Sequence, residues 1–493
     1  MTIQPIAIKQ RYKSSVRIDS HQNDFKPSID DFILHGTAVN VLDTISQDFA
    51  GSEQRAYTLT GPYGSGKSTV ALFLSSLLST NKKERIYATK KLSKAKGVLD
   101  DFSTRFNNKH GWKVIKHVCG LEAPANAILI SVLSAFNIAY DLEIIKSFDD
   151  EQCLNEIKAA LSATHKTKSD GTLLLLDEMG KALDFQSRGN KDLHLFQSLA
   201  DIAQQAKRPV VLIGFLHQSF SDYAKNKDVK AQNEWAKVQG RYRDLSFNPS
   251  IEESLVLVGD SITRNDNVAK QLESKHKKLI DSVIHSFRNQ SRNEAILNTT
   301  LPLDPLVSLL LGPISRRRFS QNERSLFGFL ASHEKLGFRE FLANNYTNNH
   351  PTLELYQPEQ LWDYLHHNLH HLIATSSDSK AWLEACDAIY RASQKGSDLH
   401  VSITKVIALL TVFGFQHHLH ANKEFITNYF LTRNINRNDI EHAIAELEAW
   451  TVVIYRQKHD ALFVFQGSDI DIQSLILDRI ESISHGIDWT SAC

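Results

Sequence analysis

The chain has 493 residues, 42% of them hydrophobic and 23% charged, enough for about two to four domains with sizeable cores. Lys+Arg and Asp+Glu both number 56, which excludes a bulk attraction for nucleic acid or anionic membrane and leaves any polyanion binding to local patches. Four cysteines, Cys119, Cys153, Cys386 and Cys493, lie far apart without a C-x-x-C pair, which argues against a zinc module or disulfide framework and suits a reducing compartment.

Residues 1–31 are polar and mixed, and are expected to form an extended arm. They lack the long apolar core of a signal peptide, and the strongest apolar runs, such as Val210–Leu216, are too short to span a bilayer. A cytoplasmic protein without a membrane partner is the expectation. An amphipathic helix over Val39–Phe49 comes next, followed by the β-prone run Ala56-Tyr57-Thr58-Leu59-Thr60.

Residues 61–68 read Gly-Pro-Tyr-Gly-Ser-Gly-Lys-Ser, a complete G-x-x-x-x-G-K-[ST] phosphate loop, and an apolar-periodic helix opens at Thr69. Strand, glycine loop and helix stand in the order that lets backbone N–H groups wrap phosphates at a helix N-terminus. Gly61, Gly64, Ser65, Gly66, Lys67, Ser68 and Thr69 are therefore the candidate nucleotide contacts. Lys67 is placed to reach the β- and γ-phosphates, and the Ser68 hydroxyl to sit on Mg²⁺. The expected ligands are ATP and Mg²⁺; no guanine-reading N-K-x-D motif is present.

Short apolar strands then alternate with helices: a strand at Trp112–Cys119, helices at Ala123–Phe136 and Glu151–Thr164, a strand at Thr172–Asp177, a helix at Leu193–Lys207, and strands at Pro209–Leu216 and Asp244–Asn248. Alternation on this scale predicts an α/β sheet, largely parallel, with helices on both faces. The run Leu173-Leu174-Leu175-Leu176 ends in Asp177-Glu178, where a buried parallel strand delivers two carboxylates beside the loop. Asp177 is expected to hold Mg²⁺ and Glu178 to activate the attacking water. His217, with Gln218, ends the neighbouring strand; it either touches the γ-phosphate or is a solvated strand end.

In Trp235–Phe247 a helix ends in Gly240-Arg241-Tyr242-Arg243 before the last core strand. Together these motifs resemble the AAA+ ATPases. By that resemblance Arg241, with Arg243 second, reaches the γ-phosphate of the next subunit and stabilises transition-state charge, which implies a homo-oligomer. Ser315-Arg316-Arg317-Arg318 precedes an apolar helix; one of Arg316, Arg317 and Arg318 is a lid arginine on the nucleotide by the same resemblance, or the three grip a phosphate backbone or are solvated.

Helical periodicity fills residues 250–395, where the strands are expected to stop. Val401–Phe413, Glu424–Thr432 and Arg437–Trp450 then read as three helices before two short strands joined at Lys458-His459-Asp460, a winged-helix pattern. The expected organisation is an arm at 1–31, an ATPase core at 32–250, a helical lid at 251–395 and a winged-helix domain at 396–493. A lid followed by a winged helix resembles the initiator branch of AAA+ proteins and the related signal-transducing ATPases with numerous domains. Asp177-Glu178-Met179-Gly180-Lys181, His217-Gln218-Ser219-Phe220 and Gln321–Phe327 also look like a group of bacterial ATP-binding proteins found near anti-phage defence genes.

Partners divide between nucleic acid and protein. The third winged-helix segment holds Arg437 against Asp439, Glu441, Glu446 and Glu448, a charge balance that phosphates repel and that suits a module for an effector or partner protein or for self-inhibition. Residues 82–96 hold seven basic residues and one acid, and read as a track for DNA or RNA or as a solvated helix face. His366-His367-Asn368-Leu369-His370-His371 has two i, i+4 pairs at metal-binding spacing, with no acid or cysteine in the local pattern.

Overall fold

A computed structural model describes residues 5–9, 18–19, 24–62, 65–93, 102–120, 122–162, 169–188, 194–218, 220, 223, 229–287, 294–317, 326–346 and 351–465. The strands are β1 (Ile6–Ile8), β2 (Ala56–Thr60), β3 (Trp112–Val118), β4 (Gly171–Asp177), β5 (Val210–Leu216), β6 (Arg243–Ser246), β7 (Ile262–Arg264), β8 (Val453–Arg456) and β9 (Ala461–Val464). Five of them form one sheet in the order β3-β4-β5-β2-β6, and every pairing is parallel.

Every residue of β4 and β5 is buried. Both faces of these strands are covered by helices, the situation in which a continuous apolar run is favoured over an alternating one. Their side chains nonetheless divide with period two. Leu174, Leu176 and Leu212 join a core with the helices Pro124–Ala135, Asp150–Ser162 and His194–Gln205, while Leu173, Leu175, Val211 and Ile213 join one with Gly36–Gly51 and Lys67–Leu77. Burying each leucine contributes about 2 kcal/mol, so a charge in this run would disrupt the layer that its position faces.

Two short strands lie outside the sequence expectation. β1 pairs antiparallel with β7, Ile6 opposite Arg264, and Lys9 reaches Asp260 at 3.0 Å. The arm is thus tied down in part, and Lys26–Asp31 is helical. Strands also continue past residue 250. Three-residue strands whose partner is some 250 residues away leave no local periodicity to read.

The chain divides into two compact units that are not consecutive in sequence. One comprises the chain up to Glu273, Ala295–Pro302 and Leu311–Glu354; the other comprises Ser274–Glu294, Leu303–Leu310 and the chain from Leu355. The stretch 251–395, read above as one helical region, is shared between them.

The second unit contains the winged helix. Helices Asp398–Leu409, Lys423–Leu431 and Arg437–Ala449 precede the antiparallel hairpin β8–β9, with Val453 opposite Val464. Asn422 caps the second helix by accepting from Phe425 N at 2.6 Å, and Asn436 caps the third through Asn438 N at 3.2 Å. Asp398–His417 is long and apolar enough to cross a membrane by length and composition, and 61% of its most apolar window is buried, as in a core helix. Beneath these helices lies a buried polar chain. Asp304 accepts from Tyr429 Oη at 2.8 Å and from Leu306 N at 2.8 Å, and Arg433 donates to Tyr429 Oη and to Glu359, each at 2.6 Å.

Candidate functional site

The site grows from the carboxyl ends of β2, β4 and β5. Gly61 N donates to Leu216 O at 3.1 Å and Phe247 N donates to Thr60 O at 2.7 Å, so the loop leaves the sheet knitted to both neighbouring strand ends. A Cβ on Gly61 would collide with the Phe247 carbonyl, which explains glycine at the first loop position. Gly66 has φ +100°, a left-handed conformation that a side chain resists, and it turns the chain into the helix Lys67–Leu77. That helix has no side-chain cap, so its first N–H groups are left for a ligand. Gly64 lies outside the described residues. The Ser65 hydroxyl is buried without a hydrogen-bond partner among them, an acceptor-seeking group inside the loop, and Thr69 is half-buried in the first helical turn.

Lys67 is 5% exposed, and its ammonium donates to the carbonyls of Gly61 and of Pro62, the latter at 2.7 Å. Burial pushes its pKa down to about 7, with the Asp177 charge opposing. Asp177 ends β4; its Oδ2 accepts from Ser68 Oγ at 3.4 Å and its Oδ1 from Glu178 N at 3.0 Å. Burial raises its pKa, and the Glu178 N–H, Lys67 and Ser68 pull the other way. A hydroxyl and a carboxylate facing each other are hard oxygen donors that fit a hydrated Mg²⁺.

Glu178 follows with φ +52°, a left-handed turn that separates its side chain from that of Asp177 before the helix Met179–Arg188 begins. Its carboxylate is ion-paired with Lys181, a pairing not expected above although the Glu-x-x-Lys spacing was there to find. His217 lies beyond β5, and its imidazole is pushed down to about 3, by burial first and then by the positive charges of Lys67 and Lys181. It is therefore a neutral ring whose field partners are the two lysines of this site.

Arg241 and Arg243 lie elsewhere. β6 runs parallel to β2 with Arg243 opposite Tyr57, so both arginines sit at the amino end of the sheet, opposite the loop of their own chain. Each is about half exposed; Arg241 pairs with Asp201 at 3.3 Å and Arg243 with Asp48. Arg316 meets the chain two residues beyond Phe247. It donates to Pro249 O, and burial lowers its pKa against the opposing charge of Glu253. Glu253 accepts from Thr37 N at 2.6 Å, Thr37 Oγ1 at 2.7 Å and Ser250 N at 2.7 Å. Burial pushes its carboxyl up, but these bonds and His35 hold it at about 2. Arg317 N donates to Ile314 O at 3.0 Å, which closes the helix before it.

Of the basic segment 82–96, the helix Lys82–Leu92 exposes Lys82, Lys83 and Lys90. Arg85 is taken up by Ser79 O and, at 3.0 Å, Lys109 O, and Lys91 by Asp30 O at 2.6 Å. Residues 94–96 lie outside the described residues. In the winged helix three of the four acids named above are paired: Glu441 with Arg437 at 3.1 Å, Glu446 with His400 at 3.0 Å, and Glu448 with Lys423 at 2.6 Å.

No protein-family model matches the sequence, and no curated protein matches it. Among solved structures the chain is similar to the Aeropyrum pernix ORC1 protein in complex with DNA, at 12% identity and a TM-score of 0.29 over 88% of this chain and 90% of that one. It is also similar to the Aeropyrum pernix ORC2 protein in its ADPNP–ADP complexes, at 13% identity and a TM-score of 0.33 over 94% and 99% of the two chains. For the ADP form of that protein the figures are 11%, 0.34, 93% and 98%. The architecture of this chain is a phosphate-loop α/β core with a parallel five-stranded sheet, followed by helices and a winged-helix domain.

Proposed function

We propose that the chain is an AAA+-type ATPase that works as an oligomeric switch or motor in DNA-associated work. One observation carries the reading: Lys67, Ser68, Asp177, Glu178 and His217 converge at the carboxyl end of the sheet, beside a buried Ser65 hydroxyl with no partner among the described residues. In this reading the loop N–H groups and Lys67 bind the phosphates, and Ser68 and Asp177 hold Mg²⁺, which neutralises charge on the β- and γ-phosphates when bound. Glu178 takes a proton from the attacking water, which requires that it turn from Lys181, and the neutral His217 ring senses the γ-phosphate.

Arg241 and Arg243 support the oligomer. They cannot serve the loop of their own chain, and their half exposure leaves them available to the nucleotide of a neighbouring copy. The likeness of three short segments to anti-phage ATP-binding proteins makes defence against foreign DNA the setting we favour. A second reading rests on the third winged-helix segment: its acids are unsuited to phosphates, so the chain is instead a nucleotide-gated scaffold whose winged helix recruits an effector protein.

ATP turnover and particle mass, measured with and without DNA and RNA, test both. Turnover stimulated by nucleic acid supports the motor; ATP-dependent assembly with slow turnover, indifferent to nucleic acid, supports the scaffold; absence of ATP binding rejects both. Mixing Arg241→Ala with Glu178→Gln protein is expected to restore some turnover, since each supplies what the other lacks. No recovery at any ratio removes Arg241 from a shared site.

A further inference from the structure

Residues four apart on a helix lie on the same face, and His366 and His370 have this spacing in the helix Pro358–Ala374. The pair alone offers too few ligands to hold a metal. The neighbouring helix, Ser379–Lys395, supplies Cys386, and the ligand atoms of the three residues all lie within 4.8 Å of one another. Cys386 is a free, half-buried thiol, His370 is half-buried and His366 is exposed, so the cluster opens to solvent on one side. All three residues belong to the second unit.

We propose that His366, His370 and Cys386 bind a divalent transition metal of the zinc class, with a fourth position taken by water. Two imidazole nitrogens and a thiolate form a borderline-soft set, which favours zinc over the hard cations that take oxygen ligands. In a tetrahedral zinc site the donor atoms stand roughly 3–4 Å apart, as follows from bond lengths near 2.0–2.3 Å, so rotation of the exposed His366 side chain closes the cluster. The thiol releases its proton to solvent as the sulfur takes the metal, and binding therefore weakens as pH falls.

One contact competes with the metal. Trp382 Nε1 donates to His370 Nδ1 at 3.1 Å, and a neutral imidazole that accepts there carries its own proton on Nε2. Neither ring nitrogen is open while that bond stands. Binding must break it, and the buried Trp382, stacked on Trp362 at 4.5 Å between centroids, then reports the event in its fluorescence. The bound metal would pin two helices that are otherwise held by side-chain packing and this hydrogen bond.

The test uses the full chain, stripped of metal, titrated with Co²⁺ alone and then with Zn²⁺. The expected result is one Co²⁺ per chain with a thiolate-to-cobalt charge-transfer band in the near ultraviolet, its displacement by Zn²⁺, a change in tryptophan emission and a raised thermal midpoint. The band separates this site from cobalt held by oxygen ligands at the nucleotide loop. Cys386→Ser and His366→Ala should each weaken zinc binding more than about 100-fold, beyond the roughly 10–100-fold typical of residues that only support a ligand. His366 is exposed, so its loss tests the site without threatening the fold. Trp382→Phe should tighten binding by up to about tenfold, the worth of one hydrogen bond, while His418→Ala leaves it unchanged. No charge-transfer band at saturating Co²⁺, or zinc affinity that survives in both Cys386→Ser and His366→Ala, overturns the proposal.

Discussion

Each unit holds a cation beside a buried aspartate, and the two cations are handled in opposite ways. In the second unit Arg433 is tied by side-chain hydrogen bonds to Tyr429 and Glu359, and Tyr429 closes onto Asp304. Against the cost of burial, Tyr429, Glu359 and Asp304 hold the guanidinium firmly charged. At the phosphate loop Lys67 rests on two carbonyls of its own loop, and Asp177 has a hydroxyl at 3.4 Å. Both are pushed toward their neutral forms. A buried charge whose partners are already in place supports structure; one whose partners are makeshift gains from an arriving ligand.

The largest expected effect tests the loop side of this contrast. Glu178→Gln should lower ATP turnover about 100- to 10,000-fold, the range for removing a general base, while nucleotide affinity is retained. Undiminished turnover would falsify the assignment of the base. Arg433→Ala strands Glu359 and Asp304 and should cost about 3–5 kcal/mol in urea unfolding, whereas Arg437→Ala, which breaks an exposed pair with Glu441, should cost about 0.5 kcal/mol or less. Equal losses would mean that the buried chain is ordinary surface electrostatics.

Proton linkage probes the same difference without a mutation. Polyphosphate restores the charge of Lys67 from about 7 toward its ordinary 10.5, so ATP binding takes up a proton between those values. The sign follows: affinity is constant with respect to this group below pH 7 and weakens above it, by at most about tenfold per pH unit. Calorimetry in buffers of different ionisation enthalpy reads the proton directly, and no uptake at pH 8 would place Lys67 as an already charged group. The smallest effect concerns Lys181. Lys181→Ala frees Glu178 and should raise turnover by no more than about fivefold, the factor carried by ~1 kcal/mol of a half-exposed ion pair. A fall in turnover would instead put Lys181 on the phosphate.

The parts legible in the sequence are those in which a residue's surroundings come from its near neighbours. Leu173–Leu176 followed by Asp177-Glu178 reads as a buried strand ending in acids, and Gly61 and Gly66 sit where close backbone approach and a left-handed turn demand glycine. The winged helix was legible for the same reason: its helices and hairpin are local. Periodicity shows that a residue is buried but not what it meets. Asp304 and Tyr429 are 125 residues apart, β1 and β7 about twice that, and Cys386 lies one helix away from the histidines it approaches. The Glu178–Lys181 pair is the exception, a local contact not drawn from a segment that was read.

The chain passes between its two units at 273/274, 294/295, 302/303, 310/311 and 354/355. The winged helix is therefore only part of the second unit, which also draws on segments from earlier in the chain. A gene fragment that began near residue 396 would carry the helices and hairpin but leave behind segments from three other places, Ser274–Glu294, Leu303–Leu310 and the start of the run from Leu355, which complete the same unit. Asp304, on which Tyr429 closes, would be among the residues lost. A cut near residue 396 would thus divide the second unit itself rather than separate it from the first.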